Sequence, residues 1–415
     1  MHLACLLALT DSPGVDSFAP MEFPTGHGLH YLDNAATTFP KPASVLQHAV
    51  NFCASACVNP GRSTFDLAIE AETMLLGARK KLSKLFGGTD PNRLVFGYNA
   101  TDALNLVIFG ILRGGGHVVT TRLEHNSVLR PIEHCVDDYG VEVTHLRFDG
   151  DGFVDPQDLR KAIRKDTKLV VMNHGSNVIG VVQAVEEMGP ICREAGVPFC
   201  IDAAQTAGMI PIDMQAMQVD IVAFTGHKSL LGPMGIGGLC VGAGVEIGHT
   251  RAGGTGVNSA QRLHLDEYPY RLEFGTPNMM GIAGLSKGVD FILESGGVAQ
   301  VHAREMGLAK VLWDGLRTTE GVTLYCARHL ERRTPVFSFN IDGLDPSYVG
   351  TRLDVDFDVA CRTGLHCAPL VHEDIGTAPH GAVRLSIGPL TKAEDVDAAV
   401  AAVRELAAER TGHAR

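Results

Sequence analysis

The sequence has little of what several large classes of protein require. Among its 415 residues, 35 Lys and Arg stand against 47 Asp and Glu, which gives a formal net charge of −12, and the basic residues are not clustered. Because nucleic-acid binding depends on clustered Lys and Arg that neutralise phosphates, we expect no nucleic-acid partner. The acidic excess is typical of a well-solvated protein surface.

Cysteine is present but lacks the spacing of a structural motif. The ten cysteines are scattered along the chain, and no Cys-x-x-Cys pair occurs among them. This spacing argues against a zinc ribbon and against a disulfide-rich secreted domain. We therefore expect reduced thiols in a cytoplasmic protein.

Long apolar runs are missing as well. The opening MHLACLLALT is apolar, but it has no basic leading segment and is too short to span a membrane. A second methionine, Met21, precedes the first recognisable motif. We expect no membrane segment, and we treat residues 1–30 as an N-terminal extension or arm.

The chain does contain a regular alternation of short β-rich runs and helical patterns. In residues 67–86, for example, apolar side chains fall on one helical face before Gly87 and Gly88 end the pattern. Strands separated by helices in this way form a mostly parallel sheet that is buried on both faces. We predict an α/β fold with a mostly parallel seven-stranded sheet built from residues 93–98, 117–123, 141–148, 168–174, 197–204, 220–226 and 236–242.

The pattern changes after about Gly288. The last segment begins with Thr391 and Glu394 at the spacing of a capping box and continues with apolar residues at helical intervals. We predict a large domain over residues 31–288 and a smaller α+β domain over residues 289–415, closed by this amphipathic helix.

Two residues that follow apolar runs have the chemistry of a catalytic site. Lys228 stands in a Gly-rich turn, where partial desolvation would lower its pKa and make it a nucleophile toward carbonyl groups. Taken alone, such a lysine is more often an ordinary surface lysine in a loop. Asp202 ends a neighbouring run, where it would either pair with a buried cation or cap a helix.

Other candidates converge on the same edge of the predicted sheet. Asn99, Ala100 and Thr101 lie at a strand-to-helix junction suited to a phosphate, although such residues also cap helices routinely. A lysine, an acid and a phosphate seat at the carboxyl ends of one sheet are the requirements of pyridoxal 5'-phosphate (PLP). The remaining candidates there, each with an ordinary structural role as the alternative, are His125, Asn177 and Arg384.

The stretch CRTGLHCAPL (361–370) raises a separate question about its two cysteines. A metal site is disfavoured because no second ligand cluster stands at zinc spacing, and a disulfide is disfavoured by the expected reducing compartment. That leaves one working thiol or none. Cys361 ends DVDFDVAC, an apolar-alternating run that predicts a strand and a buried thiol, whereas Cys367 lies in a loop from which a side chain can reach a site.

With these residues in place, the chain resembles the class V aminotransferase family of fold-type I PLP enzymes, and within it the cysteine desulfurases and selenocysteine lyases. The resemblance runs from YLDNAATTFPKP (31–42) to VRLSIG (383–388), and its most specific stretches are TGHKSLLGPMGIG, IDAAQTAG, EFGTPN and RTGLHCAPL. It implies the fold-type I architecture and a homodimer.

The resemblance also implies a role for individual residues. Lys228 resembles the lysine that forms a Schiff base with PLP, Asp202 the partner of its ring nitrogen, and His125 the residue stacked on its ring. Cys367 resembles the persulfide-forming cysteine. The other implied roles are binding contacts. Gln205 and Asn177 would bind the phenolic oxygen of PLP, and Arg384, Asn34 and Arg362 would bind the substrate. The phosphate of PLP would be bound by Thr101, Ala100, Thr225, His227 and, from the other subunit, Thr276.

The implied reaction converts L-cysteine to L-alanine and leaves a persulfide on Cys367 for a sulfur-acceptor protein. His366 and Arg362 are local candidates to assist the thiol. The alternatives are L-selenocysteine as substrate, a β-lyase, transaminase or epimerase in which Cys367 is a bystander, and a non-enzymatic scaffold. The chain departs from relatives in VNPGRSTFDLA, which has no histidine, in Leu365 where another histidine is common, and in Ala100 where a second hydroxyl is common.

Overall fold

The computed structural model describes residues 28–61 and 65–412. The helices are α1 (Ala43–Ala56), α2 (Asp66–Leu85), α3 (Ala100–Leu112), α4 (Asn126–Tyr139), α5 (Pro156–Ala162), α6 (Val185–Ala195), α7 (Met279–Glu294), α8 (Val298–Arg317), α9 (Pro346–Phe357), α10 (Pro369–Asp374) and α11 (Ala393–Gly412). The strands are β1 (His30–Tyr31), β2 (Leu94–Gly97), β3 (His117–Thr121), β4 (Glu142–Leu146), β5 (Thr167–Asn173), β6 (Phe199–Asp202), β7 (Ile221–Thr225), β8 (Gly237–Val241), β9 (Val322–Leu324), β10 (Val336–Ile341), β11 (Val359–Ala360), β12 (Arg362–Gly364) and β13 (Ala382–Ser386).

The large sheet has seven strands in the order β2-β8-β7-β6-β5-β3-β4. The pairings from β4 through β3, β5 and β6 to β7 are parallel, and β8 runs antiparallel to both of its neighbours. Every residue of β3, β7 and β8 is buried, because helices cover both faces of the sheet. The predicted fold class and all seven predicted strands are confirmed.

A second sheet of four antiparallel strands, in the order β12-β13-β10-β9, lies in the C-terminal part of the chain. It has its own apolar core with helices α8, α9 and α11, to which Leu312, Phe337, Leu385 and Val403 contribute. The division of the chain at residue 288 stays a prediction, and Gly288 itself lies within α7.

Two local predictions in this part of the chain were wrong. Residues of DVDFDVAC up to Phe357 belong to helix α9, and only Val359 and Ala360 pair as a strand. The alternation misleads because Val355 is 70% exposed, so the apolar residues do not line one face of a strand. Helix α11 forms as expected, but Thr391 Oγ1 accepts from Gly388 N at 2.9 Å instead of closing a capping box.

The parallel strands bring the predicted site residues to one edge of the large sheet. His125 follows β3, Asn177 follows β5, Asp202 ends β6 and Lys228 follows β7. In an open α/β sheet, this carboxyl edge is where ligands bind. None of the helices in the described ranges is long and apolar enough to cross a membrane. Nearly all of the expected N-terminal extension lies outside the described residues.

Candidate active site

A cavity of about 240 Å³ opens at the carboxyl edge of the large sheet. Most of the site residues predicted from the sequence line it, although they come from positions spread over nearly 300 residues of the chain. These are Ala100, Thr101, His125, Asn177, Asp202, Gln205, Thr225, His227, Lys228, Arg362, Cys367 and Arg384.

Lys228 and Asp202 both line this cavity, and the charge of each affects the pKa of the other. Burial lowers the pKa of the Lys228 amine to about 8, the nearby arginines lower it further, and the charge of Asp202 opposes that change. Burial also raises the pKa of Asp202, whose Oδ1 accepts from Ala204 N at 2.9 Å. The cavity therefore holds an amine that loses its proton more easily than an ordinary lysine and a carboxylate that a nearby cation would stabilise.

One end of the cavity is built from the beginning of helix α3. Asn99 caps this helix by accepting from Asp102 N at 2.9 Å, and Thr101 lies in the first turn. Thr225 Oγ1 is buried there without a hydrogen-bond partner among the described residues. His227 also lines the cavity, where its Nδ1 lies 3.0 Å from Thr37 Oγ1 and burial lowers its pKa to about 4. Donors at a helix N-terminus suit an anion such as phosphate.

Ser127 links this end of the cavity to His125. Its Oγ lies 2.7 Å from Thr101 Oγ1 and 2.8 Å from His125 Nδ1, and its backbone N–H donates to the same Nδ1 at 3.0 Å. Burial lowers the pKa of His125 to about 4. The ring is therefore neutral, and because Nδ1 accepts, its proton sits on Nε2. Sequence reasoning missed Ser127, which lines the cavity together with Ala100, the position that lacks a hydroxyl.

Gln205 and Asn177 anchor the central part of the cavity wall. Gln205 Nε2 donates to Ala35 O at 2.8 Å, and Asn177 Nδ2 donates to His366 O at 2.8 Å. Asn177 Oδ1 has no hydrogen-bond partner in the described part of the chain. Both amides are buried, so an unpaired oxygen there favours a ligand that can donate to it.

Cys367 lies in a tight turn that is held at its backbone. His366 and Cys367 have positive φ values of 51° and 58°, a conformation that residues other than glycine adopt rarely. The Cys367 carbonyl accepts from Asn126 N at 2.7 Å, at the beginning of α4, while Asn177 holds the His366 carbonyl. The exposed thiol thus stands at the cavity wall on a fixed backbone.

The other residues of this segment differ from Cys367 in their surroundings. Burial raises the pKa of the Cys361 thiol to about 12, and its side chain packs on the C-terminal core. Burial lowers the pKa of His366 to about 2, and its ring lies 3.3 Å from His372 Nε2. A neutral His366 supplies no positive charge to a neighbouring thiolate, so of the two predicted assistants Arg362 is the cation at this wall.

Two predicted site residues lie outside the cavity lining. Asn34 is buried, and its Nδ2 donates to Ser386 O at 3.1 Å while its Oδ1 accepts from Phe39 N at 3.3 Å. Thr276 is exposed in the turn before α7. Its predicted contribution to a neighbouring subunit stays a prediction.

The residues present fit PLP. The unpaired atoms Thr225 Oγ1, Asn177 Oδ1 and Arg384 Nε all belong to side chains that line the cavity. Asp202 offers a negative charge for a ring nitrogen, the beginning of α3 offers donors for a phosphate, and Lys228 offers an amine for an aldehyde. In the described residues, no group of three or more His, Cys, Asp and Glu side chains is arranged to hold a metal ion.

Behind the cavity, Glu124 is a buried carboxyl that the sequence analysis did not single out. Its Oε1 accepts from Thr121 Oγ1 at 2.5 Å and from Asn173 N at 2.9 Å. Burial raises the pKa of this carboxyl from 4.5 to about 8, and the charge of Asp202 adds to the rise. Near neutral pH the group is therefore mostly protonated.

Glu124→Gln should make the free energy of unfolding less dependent on pH. A folded-state pKa above the unfolded one means that the parent loses stability as pH rises between the two values. The stability of the variant minus that of the parent should rise from pH 4.5 to about 8 and then level off. Urea denaturation of both proteins at matched cofactor content measures this difference in the free energy of unfolding. A difference that stays constant between pH 4.5 and about 8 would contradict the raised pKa of Glu124.

Comparison with known proteins gives one consistent family. The family model described as Aminotransferase class-V matches residues 30–399. A probable cysteine desulfurase of Pyrococcus abyssi is 32% identical over 393 residues, which cover 93% of this chain and 96% of that protein. The solved apo structure of a cysteine desulfurase from Thermococcus onnurineus NA1 superposes with a TM-score of 0.86 at 32% identity, covering 92% of this chain and 95% of that one. The crystal structure of the Escherichia coli cysteine desulfurase CsdA superposes with a TM-score of 0.82 at 27% identity, covering 94% of this chain and 97% of that one.

Proposed function

The chain belongs to the aminotransferase class-V family, and we propose that it is a PLP-dependent cysteine desulfurase. It converts L-cysteine to L-alanine and leaves the sulfur as a persulfide on Cys367, from which an acceptor protein takes it. The single observation that carries this proposal is that Lys228, Arg384 and a cysteine thiol, Cys367, line one cavity.

PLP, when bound, supplies an electron sink for negative charge on the substrate Cα. The residues of the chain hold it and handle protons around it. Asp202 would pair with the ring nitrogen, the beginning of α3 and Thr225 would bind the phosphate, and His125 would contact the ring. Lys228 Nζ, whose pKa burial lowers from 10.5 to about 8, would take the Cα proton.

The thiol of Cys367 carries the sulfur transfer. Its Sγ, as thiolate, attacks the substrate sulfur, so that an S–S bond forms while the bond between the substrate Cβ and sulfur breaks. The electron pair of the broken bond stays on Cβ, which takes up a proton equivalent to the one that the Cys367 thiol gave up. Return of the proton from Lys228 to Cα completes L-alanine. Arg362 lines the same cavity, and the fixed turn keeps Sγ at the cavity wall.

A steady-state comparison of L-cysteine and L-selenocysteine, with alanine as the readout, tests this proposal. Alanine formed from L-cysteine, together with protein-bound sulfur, supports the desulfurase. Alanine formed only from L-selenocysteine would support a selenocysteine lyase instead. Pyruvate and free sulfide in place of alanine would identify a β-lyase, in which Cys367 is a bystander.

We also propose a symmetric homodimer in the cytoplasm. Thr276 is exposed in the single chain, as expected of a residue that completes the phosphate site of a neighbour. Light scattering of the PLP-loaded enzyme should give twice the chain mass of 44.3 kDa at working concentrations. Thr276→Ala should weaken retention of PLP while the molecule stays dimeric. An active, PLP-loaded monomer would contradict this prediction.

A further inference from the structure

A single carboxylate joins the two arginines that line the cavity. Asp33 accepts from Arg384 Nη2 at 2.8 Å through Oδ1 and from Arg362 Nε at 3.1 Å through Oδ2. The Asp33 side chain is 11% exposed, that of Arg384 only 2% and that of Arg362 51%. Asp33 itself is outside the cavity lining, so the arginines stand between it and any ligand.

The backbone around Asp33 is fixed on both sides. Strand β1 pairs in parallel with β11, and Asp33 forms a bridge with Ser386, the last residue of β13. Because β11 leads directly into Arg362 and Arg384 lies on β13, this pairing places the Asp33 carboxylate between the two arginines. The Tyr31 hydroxyl also donates to the Asp33 carbonyl at 3.2 Å.

The hydrogen bonds of Arg384 set the plane of its guanidinium group. Nη1 donates to Asn177 O at 2.9 Å and Nη2 donates to Asp33, while Nε has no partner among the described residues. A guanidinium that is held at two nitrogens is oriented before a ligand arrives. The unpaired donor of a buried cation in a cavity favours an anionic ligand.

The charges of the cluster do not cancel. Two guanidinium groups and one carboxylate leave a net charge of +1 at this wall, which one ligand carboxylate would balance. Without Asp33, two neighbouring cations would repel each other, and the buried Arg384 would lose its counter-charge. A buried ion pair of purely structural use would need only one arginine and no contact with the cavity.

We propose that Asp33 is a positioning residue that organises Arg384 and Arg362 into one subsite for a single carboxylate. Through them it makes the cavity select α-amino acids over amines that lack the carboxyl group. This inference rests on the proposed function, because L-cysteine is the substrate that the subsite would recognise.

Asp33→Asn tests it by comparing two ligands that differ only in the carboxyl group. Binding of L-alanine and of ethylamine to the PLP-loaded protein is followed through the cofactor absorbance, which needs no turnover. The variant should bind L-alanine about tenfold or more weakly, while its affinity for ethylamine stays within about twofold of the parent. The KM for L-cysteine should rise by a similar factor with much less change in kcat.

Three further variants separate this role from a structural one. Asp33→Glu, which restores the charge, should recover part of the L-alanine affinity. Arg362→Gln changes a half-exposed side chain and should weaken the binding of L-alanine but not of ethylamine. This variant keeps the test possible if Asp33→Asn folds poorly. Asp374→Asn is the matched control, since Asp374 is 14% exposed and pairs with Arg122 at 2.6 Å and Arg147 at 3.5 Å away from this cavity. It should change neither affinity.

The proposed subsite would be overturned if Asp33→Asn and Arg362→Gln lost affinity for both ligands equally, or if neither lost affinity for L-alanine. Failure of the proposed function looks different. In that case the parent would not form alanine from L-cysteine, whereas the comparison of L-alanine with ethylamine would still report on Asp33.

Discussion

Replacement of Lys228 by alanine is expected to remove the covalent attachment of PLP and nearly all turnover. Lys228 is the lysine in the cavity lining, and burial lowers the pKa of its amine from 10.5 to about 8, so more of the amine is neutral near neutral pH than for an ordinary lysine. The loss of both the attachment point and the base at Cα should cost about a thousandfold or more in rate.

Borohydride reduction followed by peptide mass spectrometry measures the attachment directly. In the parent, the reduced cofactor should be found on the peptide that contains Lys228, and in Lys228→Ala on none. Lys41 is a matched control, because burial also lowers its pKa to about 8 and its Nζ donates to the His227 carbonyl, while Lys41 itself is not part of the cavity lining. Lys41→Met should keep the covalent cofactor. A fully active Lys228→Ala enzyme would contradict the assignment.

Cys367→Ser is expected to bind PLP and L-cysteine as the parent does, yet to lose nearly all formation of alanine. A serine hydroxyl is not ionised near neutral pH and cannot accept the substrate sulfur, whereas it preserves the shape of the turn. Since the backbone at this position is held by Asn126 and Asn177, the substitution should not move the cavity wall.

Cys361→Ala is the matched control for Cys367→Ser, because it removes the other thiol of the same segment. Cys361 packs on the C-terminal core, and burial raises its pKa to about 12, so little thiolate forms there. This variant should keep most of the activity. If instead Cys361→Ala lost the activity and Cys367→Ser kept it, the roles of the two cysteines would be exchanged.

The parts of the fold that sequence could predict are those with local causes. Each strand of the large sheet is a short apolar run between helices, and strands buried on both faces need no further information. Lys228 and Asp202 could be placed together for the same reason, since each lies at or directly after the carboxyl end of its strand. The cavity at that edge follows from the topology of parallel sheets.

The parts that sequence could not predict depend on contacts between distant residues or on unusual backbone. Asp33 and Arg384 are 351 positions apart, so the charge cluster at the cavity wall has no local pattern. The turn at Cys367 uses positive φ values at two residues that are not glycine. The run before Cys361 alternates like a strand, but it belongs mostly to a helix whose Val355 faces the solvent.

The central claim is that Cys367 receives the substrate sulfur while alanine is released. The most direct test is a single turnover of the PLP-loaded enzyme with L-cysteine, after which alanine is counted and all thiols are alkylated for peptide mass spectrometry. We predict one sulfur atom added to the Cys367 peptide for each alanine formed, with the Cys361 peptide unchanged. Alanine formed at the parent rate by Cys367→Ser, or with the Cys367 peptide unmodified, would contradict this account.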